Sequence, residues 1–124
     1  TNAEGFMTRQ NRTINLCATL LFCAPYSLAV SSGQREVVLN NADVEVVRLT
    51  YPAGTESGIH THTYDNRVVY FIKGGTLILI PEDSRKPSTK LLATDGQTLF
   101  LPATTHNVRN IGQTEVVILE TELK

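Results

Sequence analysis

Tryptophan is absent, and the eight Phe and Tyr residues are scattered along the 124 positions without basic residues clustered between them. The stacking platform that grips single-stranded bases is therefore missing. Neither sign of charge prevails: 11 Lys and Arg stand against 12 Asp and Glu, for a net charge of -1. Such a balance creates no long-range field to draw in nucleic acid or an anionic membrane. Cysteine is confined to Cys17 and Cys23, so the remainder of the chain contains no internal disulfide and no thiolate metal ligand. Histidine is scarce as well, with only His60, His62 and His106. A chain of this length fits one domain, and one site is the matching expectation. The partners left are a small molecule or another protein.

The first residues have a different character from the rest. Arg9 and Arg12 precede an apolar stretch over 16–24, and Ser27 and Ala29 put small residues where a signal peptidase reads them. Residues 1–29 are thus expected to be a short expression remnant ahead of Met7 followed by an export signal, which places the protein in the periplasm or outside the cell. The competing expectation is an N-terminal arm packed on the domain or on a second subunit, with the protein then in the cytoplasm. The apolar stretch is too short to span a bilayer, so no stable membrane insertion is expected. Phe22 and Leu16 precede the two cysteines where a lipid-attachment motif needs a small residue.

From residue 30 the pattern changes to short runs of Val, Ile, Leu, Thr and Tyr broken by Gly, Pro, Asn and Asp. This is the signature of strands and turns. Strands are predicted over 36–39, 44–51, 58–63, 67–73, 76–80, 90–93, 97–101, 106–109 and 115–121, with no helical periodicity. Gly74 and Gly75 are expected to supply the positive backbone angles of a tight hairpin. So many short strands leave a sandwich or a closed barrel as the architecture. Val69, Tyr70, Phe71, Ile78, Ile80, Phe100 and Val108 supply core and lining, about half of them facing outward. Val68, Tyr70 and Ile72 then become a candidate homodimer face.

His60 and His62 stand at i and i+2 on a predicted strand, so both imidazoles project from one face and can share an ion. His106 follows Pro102 at the start of a later strand that can return beside the first. Three neutral nitrogens on one face of a metal leave the opposite positions open for water or substrate.

These residues resemble the motifs of the cupin family. Gly54, His60, His62 and Gly74 match its first motif, and Gly96, Pro102, His106 and Asn110 its second, with one residue fewer between Pro and His. Further stretches, around Val68 to Ile72, Leu101 to His106 and at the C-terminal Glu120 and Glu122, look like the small single-domain cupins connected with β-alanine degradation. The resemblance covers 43–124. It implies an all-β, double-stranded β-helix (jelly-roll) barrel over 30–124, with one divalent metal (Fe, Zn, Ni, Mn or Cu) on His60, His62 and His106.

One departure stands out. Arg67 occupies the position of the family's glutamate ligand, and a guanidinium has no lone pair to give a metal. Either Arg67 is the catalytic-site cation that orients a small carboxylate substrate beside the metal, or the pocket binds a metabolite without metal and without catalysis. Arg67 could also reach the barrel mouth and pair with Asp65 or Glu82, and Asp65 could complete the metal site. An oxygenase, a hydrolase or an isomerase would all suit the metal reading.

Overall fold

The computed structural model describes residues 31–124; the export signal or arm and both cysteines lie outside the described residues. Nine strands follow one another: β1 (Gln34–Asn40), β2 (Val44–Tyr51), β3 (His60–Thr61), β4 (Asn66–Lys73), β5 (Gly75–Pro81), β6 (Thr89–Ala93), β7 (Thr98–Pro102), β8 (Thr105–Asn110) and β9 (Val116–Leu123). They form a five-stranded sheet in the order β1-β2-β9-β4-β7 and a four-stranded sheet in the order β3-β8-β5-β6. Every pairing between strands is antiparallel. Among the described residues no helix is long and apolar enough to cross a membrane.

Strand alternation sets the two faces. On β4, Arg67, Val69 and Phe71 are buried while Tyr70 and Ile72 are exposed. Val47 and Tyr51 on β2, and Val116 and Ile118 on β9, turn the same way. Together with Leu77, Ala93 and Val108 of the other sheet they fill the space between the sheets. Of the residues expected as core, Val69, Phe71 and Val108 are buried, Tyr70 and Phe100 are exposed, and Ile78 and Ile80 are partly buried. Among the described residues β1 is exposed along its whole length, at the edge of its sheet.

The connection at Gly74 is not a hairpin. β4 and β5 belong to different sheets, so the chain crosses between layers there. Neither Gly74 nor Gly75 has positive φ; among the described residues only Gly54, Gly58 and Gly96 do. Glycine is required at 74 for a different reason: a Cβ would stand 2.2 Å from the carbonyl oxygen of Ala93.

Candidate metal centre

The first two histidines reach the site on a short ribbon. The expected strand over 58–63 shrinks to His60–Thr61, because Gly58 adopts φ +75° and β8 offers only two partners. His60 is paired directly with His106, and the backbone N–H of His62 continues the ribbon by donating to Thr104 O at 2.8 Å. The preceding loop is fastened to the same strand. Ser57 N donates to Val108 O at 2.8 Å, and Asn110 N donates to Thr55 O at 2.9 Å. Glu56 adds side-chain bonds from Asn107 and Arg109.

The three imidazoles meet edge to edge. His60 Nε2 lies 2.9 Å from His62 Nε2, which lies 3.2 Å from His106 Nε2. Nitrogens bound at about 2.1 Å to one ion and at right angles to each other stand about 3.0 Å apart, so the spacing fits three ligands on one face of a metal.

The tautomers fit as well. His60 Nδ1 donates to the Gly58 carbonyl at 3.0 Å, and His62 Nδ1 donates to the Glu122 carboxylate. A carbonyl and a carboxylate only accept, so each ring proton sits on Nδ1 and the Nε2 lone pairs point at one another. Lone pairs held that close repel unless a cation or a proton lies between them.

The electrostatics keep two of the rings neutral. Burial, then Arg67 and His60, lowers the His62 pKa to about 4. Burial, then His60, His62 and Arg67, lowers that of His106 to about 3. Metal ligation requires neutral imidazole, so neither His62 nor His106 has to be deprotonated at neutral pH.

Two carboxylates that sequence reasoning did not assign complete the surroundings. Glu120 and Glu122 project inward from β9 in phase with Val116 and Ile118, and with His62 they form a second group that could hold a cation. The continuous apolar run over Val116–Leu119 gave no alternation from which their inward face could be read. Burial raises the pKa of Glu120 to about 7, although Arg67 Nε lies 3.3 Å from it. Burial likewise raises that of Glu122.

Arg67 is buried at 3% exposure; its Nη1 donates to Pro102 O at 2.6 Å, and its carboxylate partner is Glu120, not Asp65 or Glu82. Asp65 is in neither group of potential ligands among the described residues. A cavity of about 290 Å³ opens between β2, β9 and the His60 ribbon, lined by His60, His62, Glu120 and Glu122 and by Arg35 rather than Arg67. Arg67 instead borders a smaller space of about 40 Å³ among core residues and His106.

No family model matches the chain. Beta-alanine degradation protein BauB of Pseudomonas aeruginosa is 39% identical over 89 residues, spanning 71% of this chain and 90% of that protein. A crystallised cupin domain from Bordetella pertussis superposes with a TM-score of 0.71 at 30% identity, covering 78% of this chain and 98% of its own. A double-stranded β-helix protein from Klebsiella pneumoniae matches in fold, with a TM-score of 0.61 at 21% identity over 77% of this chain and 79% of its own. The chain belongs to the cupin superfamily and is similar to BauB.

Proposed function

We propose that this cupin is a metal-dependent protein acting on a small carboxylate. The observation that carries the reading is the pair of Nε2 contacts at 2.9 and 3.2 Å between rings whose Nδ1 protons are already engaged at His60 and His62. His60, His62 and His106 would hold one divalent ion. Such an ion supplies Lewis-acid or redox chemistry at its open positions, and imidazole ligands suit Zn, Fe, Ni and Cu alike. The cavity beside His60 and His62 lies near the lower end of the roughly 300–1,000 Å³ typical of small-molecule sites, which favours a metabolite-sized ligand. The name of BauB, a protein of β-alanine degradation, agrees with a short carboxylate.

Within this reading Arg67 serves as a positioning residue. Its contacts with Glu120 and Pro102 hold the acidic wall behind His62. Substrate contact would require it to leave both.

Elemental analysis of protein purified without chelator tests the proposal, with His60→Ala and His106→Ala as controls. About one metal per chain is expected in the wild type, lost in both variants. A folded wild type without stoichiometric metal under every loading condition sinks it. The second reading, a metal-free binding barrel, draws on Arg67 at the glutamate position; tight ligand binding unchanged in His60→Ala would favour it.

Pairing of two chains through the outer face of the five-stranded sheet is part of the same proposal. Tyr70 and Ile72 are 43% and 42% exposed, and Phe100, directly across from Val68, is 64% exposed. Light scattering should give a dimer that Phe100→Glu converts to monomer. A wild type that stays monomeric at high concentration removes the idea.

A further inference from the structure

One row of cross-strand neighbours on the inner face of the five-stranded sheet runs from Arg67 on β4 to Glu122 on β9 to Glu45 on β2. Glu120 stands two residues before Glu122 on that face. Like charges directly opposite each other destabilise a sheet, so Glu45 facing Glu122 is an arrangement that folding alone does not favour. Conflicts of this kind belong to functional sites.

The described cations offset it only in part. Arg67 lies on the far side of Glu122 from Glu45, with Nη1 committed to Pro102 O. Arg35 meets Glu45 at 2.8 Å, but from an edge strand and with its side chain 57% exposed. Glu45, Glu120 and Glu122 all line the cavity of about 290 Å³, and Arg35 is the one Lys or Arg among its described lining residues. Glu122 is buried, and its Oε2 has no hydrogen-bond partner among the described residues. A buried carboxylate oxygen left without a donor is costly, and a donor that arrives with a ligand removes the cost.

We propose that this acidic wall is an ammonium subsite, and that the cavity takes a short amino acid with its ammonium group between Glu45 and Glu122. An ammonium carries three donors and no acceptor, which suits a wall of acceptors. Its single charge also suits a wall that already holds Arg67 on one flank, where a second divalent ion would meet the guanidinium. The carboxylate of the ligand points toward the three histidines. That last placement rests on the metal reading; the ammonium subsite stands on the cavity alone.

Calorimetric titration of the full chain, metal-loaded and chelator-stripped, with 3-aminopropanoate, propanoate and propylammonium tests the subsite. The wild type is expected to bind 3-aminopropanoate about tenfold or more tightly than propanoate. Propylammonium is expected to bind in the stripped protein as well, so the subsite and the metal reading fail separately. Glu45→Gln should bring 3-aminopropanoate and propanoate close to parity, and circular dichroism verifies that the variant is folded. Equal affinity for the two acids in the wild type overturns the proposal. So does a preference that survives intact in folded Glu45→Gln, or displacement of propylammonium by equimolar magnesium.

Discussion

Glu122 accepts the Nδ1 proton of His62, the imidazole whose Nε2 faces both His60 and His106. The carboxylate thereby fixes the ring's tautomer and raises the basicity of the nitrogen turned toward the site. Glu122→Gln keeps the shape and removes the charge. Metal affinity, measured by competition with a chromogenic chelator, is expected to fall about 10- to 100-fold with the fold intact. Unchanged affinity would mean that Glu122 does not act through His62.

The buried groups act on the pH dependence of the metal-free protein in opposite senses. The His62 and His106 pKa values are depressed to about 4 and 3 from 6.5, so the stability they contribute is complete above 6.5 and is lost as pH falls through those values. Glu120 works in the opposite sense: raised from 4.5 to about 7, it contributes stability below 4.5 that is lost as pH rises through 7. Melting temperatures of stripped protein should fall as pH drops below about 6.5, less steeply between 6.5 and 4.5, where Glu120 opposes the two histidines, than between 4.5 and 4, and should change little above about pH 7. Glu120→Gln should steepen the fall between pH 6.5 and 4.5, and an unchanged slope there would contradict the assignment for Glu120.

Gly74→Ala tests the crossing between sheets. The added methyl group meets backbone, Ala93 O at 2.2 Å and Thr94 C at 2.7 Å, and neither can swing aside. A loss of about 1–3 kcal/mol is expected in urea denaturation. Gly54→Ala makes a useful contrast, since a Cβ there has open space and only its φ of +78° opposes the change.

Asn110 is fully buried and satisfied on every side. Its Nδ2 donates to Tyr51 O and Thr114 O, both at 2.8 Å, and its Oδ1 accepts from Gly112 N at 2.9 Å. Asn110→Ala strands three partners and should cost about 2–4 kcal/mol. Asn110→Asp should cost more, because a carboxylate oxygen would face two carbonyls. An aspartate variant as stable as wild type would show that the amide is not needed.

The histidine cluster could be read from sequence because strand parity places i and i+2 on one face and the second motif places the third ring. Glu120 and Glu122 escaped because acidic residues at the end of a strand look like a solvated edge. Their inward direction follows only once Val116 and Ile118 are known to fill the core. Gly74 and Gly75 misled for a related reason. Two glycines between apolar runs suggest a turn within one sheet, and only the strand order reveals a passage between two. Arg67 was recognisable as an anomaly, but its partner Glu120 lies 53 residues away in sequence and on a neighbouring strand.

His60 and His106 occupy one rung of the β3–β8 ladder. Sliding either strand by a single position would turn one imidazole to the opposite side of the ribbon, where it could no longer share a ligand sphere with the other two. Ion uptake is then a proofreading signal for assembly: in any refolded sample, the fraction of chains that capture metal counts those whose strands closed in the right alignment.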